Sequence, residues 1–383
     1  MRQEIIKFAA VKLINAAGDV PVSKELDNDQ MLACLSQRLP IGFNSTNYIS
    51  QENERKQVEG HMRICLKIDG AFETMTTTSS SEPILSEAAY FLMQNESFNA
   101  PKALRSVMEG FAISKGDRGE FLVLLLLILA RDATVGAANI YGQPEKGSRS
   151  LNLTNFLYGQ VFCKQTAPSD STCALRNLQS DFPNAQLHFS HFVKVHEYKA
   201  IDLTSLLLLQ GRGAAVLCAN NQRGVDAINV FLKDGSKKLV RDNAGLILHQ
   251  VKNDSSYTDQ PQQKLFDAMD LYDLGILKET DQPIPLIKIV FALAAKRSSL
   301  NVVRKGQYPA VTYEIWCAGL SPSILEPIKM QEKGIWESLL QASYGWKELY
   351  KAPSDVAGVL RQAETPGAAR DVGHYCCWSK RDD

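Results

Sequence analysis

The sequence predicts an α/β fold: a mixed central sheet with a β-hairpin core, flanked by helices and preceded by a mainly helical N-terminal region. Three observations predict it. After residue 203, short runs rich in Val, Ile and Leu alternate with stretches of helical spacing. Two of those runs, 225–232 and 245–252, carry apolar residues at every second position and are joined by a loop holding the turn signal Asp234-Gly235-Ser236. Before residue 203, helix signals dominate.

In chain order, Ile5 to Ala17 reads as a helix within a poorly defined N-terminal region, 1–81, which closes on the Thr/Ser run Thr76 to Ser81. A mainly helical region, 82–202, follows. Pro83 announces a helix over Ile84 to Asn95, and Pro101 opens another to Ile113. Phe121 to Asp132 is apolar almost all round, the mark of a buried helix, with Asp117 as its N-cap and Gly119 ending a turn. Residues 136–185, rich in Gly, Ser, Asn, Gln and Pro, read as an irregular insertion or short helices with loops. The α/β core occupies 203–345. It starts with a helix at Leu203 to Gln210 and strands at 214–219, 225–232 and 245–252. A helix over 260–277, strands at 285–294 and 310–317, and a helix over 324–343 follow. Residues 346–383 form a C-terminal tail.

The totals bound the function. Lys+Arg and Asp+Glu are 42 each, so a nucleic-acid partner must be held by a local basic patch and not by a global field. The eight cysteines form no CxxC pair, which points to reduced thiols and an intracellular, cytoplasmic or nuclear, protein. Arg2, Glu4 and Lys7 interrupt any secretory leader, and the longest apolar run, Phe121 to Ala130, is too short to span a bilayer, so no membrane partner is expected. No phosphate-binding GxxxxGK[ST], GxGxxG after a strand, GxSxG, HExxH or zinc-finger spacing occurs. His188, His191 and His196 invite a metal reading. They lack a Glu within the spacing and are interleaved with aromatic residues, so ordinary histidines are the competing reading. Nothing in the sequence specifies an oligomeric state.

The chemistry concentrates on the hairpin. Asp226, Ile228, Val230 and Leu232 share one strand face; Leu246, Leu248, Gln250 and Lys252 share another. A register that pairs Val230 with Leu246 also pairs Ile228 with Leu248, and it sets Asp226 opposite Gln250 with Lys252 on the diagonal. Three polar groups then meet at the mouth of an apolar face. Such groups need a partner or a metal. An Asp226–Lys252 ion pair at the sheet edge is the plain alternative.

Asp226 followed by Gln250-Val251-Lys252 on a strand resembles the signature of the PD-(D/E)xK, or restriction-endonuclease-like, nuclease superfamily. The stretch Cys218-Ala-Asn-Asn-Gln-Arg-Gly-Val-Asp226, the segment 116–132 and the closing Arg361-Gln-Ala-Glu run resemble nuclease-like domains of fungal transposon-linked and Crinkler-type effector proteins. The resemblance implies a Mg²⁺-dependent nuclease hydrolysing phosphodiester bonds in DNA or RNA. Asp226 would be the principal Mg²⁺ ligand, with Gln250 and the Val251 carbonyl beside it, Lys252 near the attacking water and Glu120 as an auxiliary carboxylate. Gln250 departs from the usual carboxylate, which keeps open a catalytically inactive interaction module of the same fold. Glu120 also reads as an exposed first-turn carboxylate favoured by the helix dipole. Arg223, Lys237, Lys238 and Arg241, clustered around the hairpin in sequence, are the candidates for holding the nucleic-acid backbone; a solvated loop rim is the alternative for them.

Overall fold

The computed structural model describes residues 2–18, 25–43, 48–70, 75–109, 115–140, 150–164, 169–220, 222–235, 238–307 and 310–341. The closing Arg361 run and the expected tail lie outside the described residues.

The chain opens with helices α1 (Arg2–Leu13), α2 (Asn28–Ser36) and α3 (Tyr48–Gly60), then an antiparallel pair, β1 (Arg63–Ile68) and β2 (Met75–Ser79). Asp27 caps α2 with a reciprocal box: its carboxylate accepts from the Gln30 N–H, and the Gln30 side chain accepts from the Asp27 N–H. Next come α4 (Pro83–Met93), α5 (Ala100–Glu109) and α6 (Lys115–Ile140). The stretch expected to be irregular holds the end of α6, then β3 (Leu151–Asn152), α7 (Leu153–Leu157) and α8 (Ser169–Asp181). The rest is β4 (Gln186–Leu187), β5 (His191–Lys194), α9 (Leu203–Gly211), β6 (Ala214–Leu217), β7 (Ala227–Leu232), β8 (Ala244–Lys252), α10 (Gln263–Asp267), β9 (Leu286–Ala292), β10 (Ser299–Lys305), β11 (Thr312–Ala318) and α11 (Lys333–Gln341).

Strands β3 to β11 form one mixed sheet in the order β10-β11-β9-β8-β7-β4-β3, with β6 beside the first half of β7 and β5 beyond it. β7 and β8 pair in the expected register, Val230 with Leu246 and Ile228 with Leu248. β9 runs parallel to β8, and β11 parallel to β9, so β5, β6, β8, β9 and β11 all point their carboxyl ends one way. β8 is the central strand, and residues 244–250 of it are all buried, as both-face coverage demands.

Alternation along β8 feeds two cores. Ile247 joins a large cluster running from Ala9 to Leu339, which includes the N-terminal helices and the apolar length of α6. Leu246 and Leu248 join a second cluster beneath α9 and α10. The N-terminal helices therefore share a core with the sheet. No helix among the described residues is long and apolar enough to cross a membrane.

Three expectations are corrected. The helix expected over 260–277 stops at Asp267, because the Asp270 carboxylate takes the N–H groups of Tyr272 and Asp273 and turns the chain. α6 starts at Lys115, so Asp117 and Gly119 lie inside the helix. The edge strand β10 was not anticipated; only Leu300 and Val302 of it are buried, too few to show a pattern.

Candidate functional site at the carboxyl ends of the strands

Asp226 immediately precedes β7, where the ends of β6, β7 and β8 meet. Its backbone is held on both sides: its N–H donates to the His249 carbonyl at 2.8 Å, and its carbonyl accepts from the Cys218 N–H at 2.8 Å. Its carboxylate Oδ2 accepts the Val251 N–H at 2.6 Å. The Val251 carbonyl leaves β8 on the same edge as its N–H, toward Asp226. The simple ion pair with Lys252 is not what holds Asp226: among the described residues the two make no contact at salt-bridge distance, and the Lys252 ammonium sits 6.0 Å from the Tyr257 ring centroid. Lys252 still lies close enough to lower the Asp226 pKa, though burial outweighs it and the group is raised overall.

Gln250 is directly across from Asp226 in the β7–β8 register, continuing the pairing of Ala227 with His249. It is buried, and its Oε1 has no hydrogen-bond partner among the described residues. A buried carbonyl oxygen without a donor is costly; an N–H or O–H donor or a cation would each satisfy it.

Glu120 comes from α6, more than a hundred positions earlier in the chain than Asp226. Gly119 makes the approach possible. A Cβ there would lie 3.1 Å from both Asn253 Cβ and Val251 Cγ1, so a side chain at this position would crowd the start of α6 against the end of β8 by a few tenths of an ångström. Glu120 is therefore no exposed first-turn carboxylate. Its pKa is pushed up to about 7, first by burial and then by the nearby carboxylates of Asp226 and Asp117, while Lys194 and Lys252 oppose the shift. Two further carboxylates and two lysines thus act on Glu120 at the strand ends.

A buried ionic lattice fixes this frame. Arg38, just after α2, donates to both Asp132 oxygens at 3.0 and 2.8 Å and to the Ser190 carbonyl at 2.6 Å. Arg131 donates to Asp132, to Glu87 of α4 and to the Phe189 carbonyl. The lattice ties α6, which carries Glu120, to the chain entering β5, which ends at Lys194. No sequence signal pointed to Arg38 or Lys194.

Beside Glu120 opens a cavity of about 280 Å³. Ile41, Leu104, Val107, Met108 and Leu217 line it and are buried; Asp117, Glu120, Lys194 and His196 are more accessible and form its polar mouth.

The basic candidates divide. Arg223, on the β6–β7 connection, is exposed at the site end of the sheet. Lys238 and Arg241 sit at the turn end of the hairpin, a full β8 length away, about 26 Å at 3.3 Å per residue. Arg241 is also paired with Asp281 at 2.5 Å. They are not brought to Asp226; Lys237 lies outside the described residues. The three histidines are not gathered either. His191 is buried against the hydroxyls of Ser81 and Ser190, and burial drives its pKa down to about 3. Among the described residues no group of three or more His, Cys, Asp or Glu is arranged to hold a metal.

The model of a family described as domain of unknown function DUF8736 matches residues 29–284. The chain belongs to this family. The match covers two thirds of the chain and takes in Glu120, Lys194, Asp226, Gln250 and Lys252, while β9 to β11 lie beyond it. It also runs across the boundaries expected at 81/82 and 202/203. No curated protein and no solved structure matches the DUF8736 chain.

Proposed function

We propose that this DUF8736 protein is a Mg²⁺-dependent hydrolase of phosphodiester bonds in nucleic acid. The observation that carries the reading is that Glu120 and Asp226 lie near Lys252 at the carboxyl ends of the strands, where burial raises the proton affinity of both carboxylates and the charge of Asp226 raises that of Glu120 further. In this reading Asp226 and Glu120 would hold the ion, and the Gln250 Oε1 and the Val251 carbonyl would be the neutral oxygens nearest Asp226 in the strand register, oxygen chemistry of the kind a hard dication takes. Two carboxylates with neutral oxygens suffice for Mg²⁺, which keeps several waters and borrows phosphate oxygens. When bound, the ion would polarise the phosphate and lower the pKa of a water.

The chain's own residues supply the rest. Lys252 and Lys194 offset the negative charge that builds on the phosphate oxygens. The oxygen of a water bonds to phosphorus, the P–O ester bond breaks, and the proton released by the water is balanced by one taken up on the leaving oxygen through solvent. The resemblance to PD-(D/E)xK nucleases supports the same assignment. The test is cleavage of plasmid and oligonucleotide substrates with and without Mg²⁺. Activity that needs Mg²⁺ and disappears in Asp226→Ala and in Lys252→Ala is expected; cleavage that survives in the double variant would refute the site.

One observation favours a second reading, a catalytically silent module that binds ligands through the same fold. Gln250 stands where the resemblance expects a carboxylate, and the site carries less charge for it. Calorimetry that detects no Mg²⁺ binding, alongside no turnover, would select this reading.

A further inference from the structure

We infer that the cavity beside Glu120 receives a single unpaired nucleobase, so that the substrate is single-stranded or locally opened nucleic acid. The inference rests on the hydrolase reading of the adjoining carboxylates and names the substrate class for it.

Three features support it. The first is chemistry. The wall is aliphatic, from Ile41, Leu104, Val107 and Leu217, and the ring of Phe121 adds flat surface; the Phe43 ring, which also lines it, carries the Arg63 guanidinium 4.4 Å from its centroid. An occupant with an apolar, planar body is matched to that wall, because bases stack on aromatic rings without regard to sequence. A phosphate or a sugar alone is not.

The second is the polar mouth. Lys194 and His196 stand on the same rim as Glu120. Lys194 offers a cation to the phosphate that the base carries, and Glu120 faces both the cavity and Asp226. A base seated in the cavity would therefore bring its own phosphate to the carboxylate pair.

The third is size. About 280 Å³ falls just below the range of roughly 300–1,000 Å³ for pockets holding drug-sized ligands. One base fits; a base pair, with its two backbones, does not. A base in a duplex would have to be unstacked and turned out to enter, which costs a few kcal/mol and favours strands already open. The neutral net charge agrees with this division of labour. Lys238 and Arg241 lie at the other end of the sheet, so the contact nearest the site relies less on long-range charge and more on a shaped pocket.

Two measurements on the full chain in Mg²⁺ test the inference. In the first, calorimetry compares nucleoside 5′-monophosphates with ribose 5-phosphate, which lacks the base. Binding of the monophosphates at least about tenfold tighter is expected from one stacked base, and Leu104→Trp, which fills the cavity, should abolish the difference. Equal affinities for the two ligands would overturn the inference without any variant. In the second, one oligonucleotide is offered single-stranded, fully paired, and single-stranded with one base removed. Cleavage should be at least about tenfold faster on the single strand than on the duplex, and suppressed at the phosphate next to the missing base. Equal cleavage of all three would overturn the base pocket and leave the hydrolase standing. Base-dependent binding with no cleavage of any substrate would sink the hydrolase and leave the pocket. Neither binding nor cleavage would sink both.

Discussion

Replacing Glu120 by Gln removes a charge that the site holds at a cost. Folded, Glu120 keeps its proton up to about pH 7; its ordinary value is 4.5. Between those values the native state binds more protons than the unfolded chain, so Glu120 lowers stability as pH rises and its cost is fully developed above 7. The whole shift corresponds to about 3 kcal/mol at 1.36 kcal/mol per pH unit. Glu120 is partly exposed, and solvent screening reduces the usable effect to about 1–2 kcal/mol. Glu120→Gln should therefore match the parent at pH 4.5 and exceed it at pH 8, by a few degrees in Tm. Mg²⁺ should stabilise the two proteins unequally. At a hundredfold excess over Kd the parent gains about 2.7 kcal/mol at pH 8, and the variant gains less, having exchanged a carboxylate for a neutral amide. The assay is thermal and urea unfolding at pH 4.5, 6 and 8, with and without Mg²⁺. Parallel pH profiles for parent and variant would show that Glu120 does not sit beside Asp226 in a desolvated site. Equal Mg²⁺ stabilisation of both would show that Glu120 takes no part in holding the ion.

Other consequences concern the frame. Asp132→Ala strips Arg38 of two charge-assisted bonds and Arg131 of one, leaving the buried Arg38 guanidinium without a carboxylate while Arg131 keeps Glu87; a loss of about 3–5 kcal/mol in urea unfolding is expected. Gly119→Ala gains about 1 kcal/mol of helix propensity but must move α6 away from Val251 and Asn253. Its stability should change by less than about 1 kcal/mol, whereas Mg²⁺-dependent cleavage should fall severalfold. Unchanged cleavage would show that the approach of α6 to β8 does not set the site.

The β7–β8 hairpin was legible because two local constraints agree. Period-two apolar alternation allows one register without burying charge, and a turn signal joins the two runs. The register that sets Asp226 opposite Gln250 follows from that alone. The same geometry sends Lys238 and Arg241 to the far end, so grouping them with Asp226 mistook nearness in sequence for nearness in space. The apolar run at 121–132 was legible as a buried helix, but its start was not: Asp117 and Gly119 carry turn chemistry, and their place inside α6 depends on packing against β8. Gly119 reads as punctuation in sequence and is a contact in the structure.

Composition and periodicity, which are local, determined the α/β class, the strand pairing at the centre of the sheet and one half of the site. Tertiary structure decided the other half. Glu120, Lys194, the apolar wall and the Arg38–Asp132 lattice come from segments widely separated in the chain, and no pattern in a single sequence records which of them meet. What brings them together is burial on both faces of β8: covering that strand requires α6 to cross it, and the crossing sets a second carboxylate beside the first.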